Sequence, residues 1–95
     1  SRVMHLSRAN ILYGQKRFVE AQSALDDYMK VNEEDYRGWK MRGDIFRSQR
    51  EVDAALASYE KALSFGGRFN DFGITRSKTE LMIDSEKWDD LSLVK

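Results

Sequence analysis

The chain has 95 residues, 41% of them hydrophobic and 34% charged, with a formal net charge of zero and neither cysteine nor proline. That length supports one domain with a single continuous core. The composition excludes disulfides and thiolate zinc sites, and the charge balance removes any global attraction to nucleic acid or an anionic membrane.

No apolar run reaches the length of a membrane-spanning helix, and no signal-peptide pattern is present. A start at Ser1 and an end inside a predicted helix are what a piece of a longer chain would show. With no proline, turns must come from glycine and polar clusters. These are Gly14-Gln15-Lys16-Arg17, Asn32-Glu33-Glu34-Asp35, Ser48-Gln49-Arg50-Glu51, Gly66-Gly67-Arg68 with Asn70-Asp71, and Asp84-Ser85-Glu86. Helices are predicted between them, at about 2–14, 18–31, 36–48, 52–65, 71–84 and 87–95. No segment alternates as a strand would.

The first two helices carry Ala9, Leu12, Ala21 and Leu25 as inward positions. In the next two, Trp39, Gly43 and Phe46 share one face, and Val52, Ala55, Leu56, Tyr59, Ala62 and Leu63 form a stripe at helical spacing. Advancing the chain by 34 residues places Arg8 on Arg42, Ile11 on Ile45, Gln15 on Gln49 and Ala21 on Ala55. Ala9 then falls on Gly43, so small residues recur where helices must cross closely. Gly43 inside a helix costs about 1 kcal/mol relative to alanine, a cost that makes sense if close approach is needed.

After the fourth helix, Gly66 and Gly67 are expected to end it in a left-handed cap, with Asn70 or Asp71 capping the next helix. Trp88 lies 36 residues after Val52, so extra residues enter the register, placed at Arg68-Phe69. The final helix, with Leu91, Leu93 and Val94, reads as a truncated repeat or a cap.

The pattern Trp39, Arg42, Gly43, Phe46 and then Ala55, Tyr59, Ala62 resembles the tetratricopeptide repeat family. The first unit, His5, Arg8, Ala9, Leu12, then Ala21, Leu25, Tyr28, is a weaker copy. Arg42 stands where the family has a large apolar residue, and Tyr28 where it has a small one. The resemblance implies an all-α fold of antiparallel helix pairs stacked as a right-handed α-solenoid. It gives one domain over 1–95, with about three units at 2–35, 36–67 and 70–95, the last atypical or truncated.

Catalytic chemistry lacks its parts. His5 is the lone histidine, placed where the family has its first aromatic, and it reads as structural. Asp26-Asp27, Glu33-Glu34-Asp35 and Asp89-Asp90 lack the spacing of a calcium loop and read as solvated helix ends. No catalytic residue, metal ligand or cofactor is expected.

The resemblance places the functional surface on the concave face, lined by the first helix of each pair. Helical geometry puts Val3, Leu6, Asn10 and Tyr13 there from the first unit, and Arg37, Lys40, Met41, Asp44 and Arg47 from the second. The third would add some of Ile74, Arg76, Ser77, Lys78, Glu80 and Leu81. Within 36–50, Arg37, Lys40, Arg42, Arg47 and Arg50 face Asp44 alone, which favours an acidic peptide or an acidic partner element. A family subset grips chaperone C-termini with lysine and asparagine. Here only Asn10 fits that pattern, because Leu6 and Met41 replace two of the required residues. The expected function is a non-catalytic scaffold binding a protein or peptide. The alternative is a piece of a longer array that self-associates or packs on neighbouring domains through its terminal helices.

Overall fold

The computed structural model describes the backbone of residues 2–94 and the side chains of residues 6–88. His5, Val3, Asp89, Asp90, Leu91, Leu93 and Val94 thus carry expectations whose side chains lie outside the described residues. The described chain is helical, without strands: α1 (Arg2–Gly14), α2 (Phe18–Met29), α3 (Tyr36–Ser48), α4 (Val52–Ala62), a three-residue α5 (Arg68–Asn70) and α6 (Gly73–Val94). None of these is long and apolar enough to cross a membrane. Each main helix packs on the next in sequence: α1 on α2, α2 on α3, α3 on α4 and α4 on α6.

The turns α1–α2 and α3–α4 are copies of one another. Lys16 and Arg50 are both left-handed, with φ of 62° and 60°. Around them the backbone hydrogen bonds repeat at the 34-residue offset. Lys16 N–H donates to Tyr13 at 3.0 Å as Arg50 does to Arg47 at 3.0 Å. Arg17 donates to Leu12 at 2.9 Å as Glu51 does to Phe46 at 2.9 Å. This crossed pair of bonds satisfies the last free carbonyls of the outgoing helix. The first turn lies within the predicted cluster Gly14-Gln15-Lys16-Arg17, and its left-handed residue is Lys16. Gly14 itself stays inside α1.

Small residues set the helix crossings. Ala9, Ala21, Ala55 and Ala62 are fully buried. A Cβ on Gly38 would meet the Met29 sulfur at 2.1 Å, and one on Gly43 would meet the Tyr59 ring at 2.6 Å. Helix α3 therefore lies between two neighbours, with Gly38 against α2 and Gly43 against α4. One core cluster joins Leu12, Leu25, Tyr28 and Met29 to Met41 and Ile45. A second joins Ala55, Tyr59 and Ala62 to Ile74 and Leu81. Trp39 packs against both, so the core is continuous.

The α4–α6 connection follows the expected devices. Helix α4 closes in a π-type turn over Leu63–Gly67 with Gly66 at φ 106°. Asp71 Oδ1 accepts the Gly73 N–H at 2.9 Å. The extra residues form α5, at the predicted Arg68-Phe69. Gly67 serves close packing: a Cβ there would meet Ile74 at 2.4 Å.

The predicted break at Asp84-Ser85-Glu86 is absent, and the two helices expected at 71–84 and 87–95 are the single α6. Ile74, Leu81 and Trp88 recur every seven residues on its inner side, which keeps one face on α4 through that stretch. Asp, Ser and Glu lower helix propensity only slightly and cannot break a helix held this way.

Candidate functional site

Leu6 and Asn10, one turn apart on α1, face Arg37, Lys40, Met41 and Asp44 on successive turns of α3. With Asp71 from the α5–α6 connection they line a cleft of about 210 Å³. A second cleft of about 450 Å³ is lined by Leu6, Ser7, Asn10, Tyr28, Asn32, Asp35 and Arg37. Leu6, Asn10 and Arg37 belong to both, so the clefts form one groove.

Charge in this groove is matched from within the fold. Asp35 is the N-cap of α3, accepting the Arg37 N–H at 2.9 Å, and its carboxylate also takes the Arg37 guanidinium at 2.9 Å and the Tyr28 hydroxyl. Burial opposes the Asp35 charge, but the hydrogen bonds from Arg37 and Tyr28 prevail and hold its pKa below the ordinary value. Lys40 Nζ sits 3.6 Å from Asp71. Asp44 accepts from the Tyr59 hydroxyl, and burial pushes its pKa up despite that bond and the nearby Lys40 and Arg47. Burial, followed by the Asp44 hydrogen bond, raises the Tyr59 phenol in turn.

The remaining cations of α3 are also engaged. Arg42 reaches Asp26 of α2 at 2.7 Å and lies over the Trp39 ring at 4.9 Å, so a partly buried arginine is satisfied there by an ion pair and a ring face. Arg47 bridges to α6, at 2.7 Å from Asp84 and 3.6 Å from Glu80. Arg50 lies over the Trp88 ring at 5.2 Å. Of the basic residues read along 36–50, Arg37, Lys40, Arg42 and Arg47 are thus met by carboxylates from outside that stretch, and Arg50, just past α3, by an aromatic ring.

Of the nine groove residues expected from the first two units, Val3 has its side chain outside the described residues, and Leu6, Asn10, Arg37, Lys40, Met41 and Asp44 share the smaller cleft. Tyr13 and Arg47 do not line it. Tyr13 packs on Phe18 at 5.7 Å between ring centres and accepts from Ser48 Oγ at 3.4 Å. Arg47 is turned to α6. Among the third-unit candidates, Ile74 and Leu81 are buried against α4, which removes them from any groove wall. Sequence reasoning missed Ser7, Tyr28, Asn32, Asp35 and Asp71 as lining residues. The cap position of Asp35, immediately before Tyr36, was the available signal for one of them.

Among the described residues, no group of three or more His, Asp or Glu is placed to hold a metal ion. No protein-family model matches the chain, and no curated protein or solved structure is significantly similar to it.

Proposed function

We propose that the chain is a non-catalytic protein-interaction scaffold of the tetratricopeptide type, its helix pairs stacked as a right-handed α-solenoid, with an extended peptide held in the groove between α1 and α3. The observation that carries this reading is the convergence of Leu6, Asn10, Arg37, Lys40, Met41 and Asp44 on one cleft. Support for stacked repeats comes from the two turns whose hydrogen bonds coincide at a 34-residue offset.

The lining suits a main chain with small apolar side chains. Leu6 and Met41 offer apolar contact, while the exposed Asn10 amide can both donate to and accept from a peptide backbone. Lys40 is the point for an acidic residue of the partner, which would share the ammonium with Asp71, 3.6 Å away in a partly exposed ion pair. Since the other cations are already paired, charge contributes modestly and added salt weakens binding only slightly.

Selection of peptides from a displayed random library tests the reading. The expected result is a family of peptides with a shared core sequence whose binding is weakened by Asn10→Ala and by Lys40→Ala, in variants with unchanged helicity. No enrichment, or enriched peptides indifferent to both substitutions, would overturn it.

A further inference from the structure

The charges that line the groove between α1 and α3 do not cancel. Among the described residues its two clefts hold the cations Arg37 and Lys40 against the carboxylates Asp35, Asp44 and Asp71. Pairing within the fold shows which carboxylate is left over. Arg37 is held by Asp35 at 2.9 Å, and Lys40 pairs with Asp71 at 3.6 Å. Asp44 accepts the Tyr59 hydroxyl through Oδ1, while Oδ2 has neither a hydrogen bond nor an ion pair among the described residues. Lys40 and Arg47 are near enough to favour its charge, but Lys40 is directed at Asp71 and Arg47 at Asp84 and Glu80. Burial outweighs them and raises the Asp44 pKa.

We infer that the groove recognises a basic residue of the bound peptide, a lysine or arginine whose cation docks on Asp44 Oδ2 beside the Lys40–Asp71 pair. The inference rests on the peptide-scaffold reading of the groove and adds to it the chemistry of one side chain of the occupant. A partly buried carboxylate without a cation is costly, and a ligand that supplies the cation recovers that cost on binding. Lysine and arginine both meet the need, because Tyr59 occupies Oδ1 and leaves no free two-oxygen edge for the bidentate pairing that would favour arginine. Lys40 and Asp44 are one helical turn apart, so an acidic residue at the first and a basic one at the second are close neighbours on the peptide. The charge read along α3 alone pointed to an acidic occupant, whereas the charge of the assembled groove calls for a cation.

Two selections from one displayed random library test this, one on the native chain and one on Asp44→Asn, whose amide oxygen can still accept the Tyr59 hydroxyl. The native chain should enrich peptides with lysine or arginine at a fixed position, and Asp44→Asn should not. For an enriched peptide made synthetically, replacing that basic residue by glutamine should weaken binding to the native chain about tenfold, the loss of one charge-assisted hydrogen bond. The same replacement should leave binding to Asp44→Asn nearly unchanged, and circular dichroism checks that this variant keeps its helicity. Enriched peptides that depend on Asn10 but carry no fixed basic residue would overturn the inference and leave the scaffold reading standing. So would a basic residue whose replacement costs the same in both proteins. No enrichment on the native chain would overturn both.

Discussion

Gly43→Ala and Gly14→Ala are the same chemical change inside two helices of this chain, and they should move stability in opposite directions. Alanine gains about 1 kcal/mol over glycine in helix propensity at an unhindered site. At Gly14 the new Cβ meets nothing within 4 Å, so up to that gain should appear. At Gly43 it would sit 2.6 Å and 2.7 Å from two ring carbons of Tyr59, which is fully buried and whose hydroxyl is held by Asp44. The ring cannot swing aside, so α3 and α4 must separate. Overpacking of this kind costs about 1–3 kcal/mol, leaving a net loss of roughly 1 kcal/mol after the propensity gain. In a domain of this size that lowers Tm by about 4–8 °C. Gly43→Leu should cost about 3 kcal/mol or more and lower Tm severely. Thermal melts followed at 222 nm measure all three. A Gly43→Ala variant as stabilised as Gly14→Ala would refute the close crossing of α3 and α4.

Lys16→Gly and Arg50→Gly should each raise stability by about 1 kcal/mol, since both residues now bear the steric cost of a left-handed backbone; urea unfolding checks this. Asp35→Ala should lose about 1–2 kcal/mol through the helix cap and the Tyr28 and Arg37 contacts it leaves open. The two perturbed carboxylates should also separate by pH. Asp35, with its folded pKa depressed, contributes stability above its unfolded value near 3.8 and loses it as pH falls through the folded pKa. Asp44, with its folded pKa raised, contributes stability when protonated and loses it as pH rises from about 3.8 through the folded pKa. In urea titrations at a series of pH values, Asp35→Asn should remove the first dependence and Asp44→Asn the second. An unchanged pH profile in either variant would remove that assignment.

What was legible in the sequence was what depends on local spacing. Gly43, Ala21 and Ala55 identified the helix crossings because a small residue on an apolar stripe has few other reasons to recur at a fixed offset. Positions 6, 10, 37, 40, 41 and 44 were legible as neighbours because helical spacing puts them on the faces of α1 and α3 that line one cleft. Illegible were the relations between distant residues. The cations of α3 looked unopposed because Asp26 and Asp84 lie on other helices, and a sum along one helix cannot see them. The turn after α1 fell in the predicted cluster Gly14-Gln15-Lys16-Arg17, but which of its residues is left-handed was not legible, because Lys16 has no intrinsic preference for that conformation. The break at Asp84-Ser85-Glu86 was misread because polar residues were taken as a stop, while the seven-residue spacing of Ile74, Leu81 and Trp88 held the helix together.

The most direct test of the binding proposal is amide chemical-shift mapping of the chain with a library-selected peptide. The account predicts shifts concentrated at Leu6, Asn10, Arg37, Lys40 and Met41, with smaller ones at Asn32 and Asp71. Saturating shifts confined to other surfaces, with these amides unmoved, would contradict it.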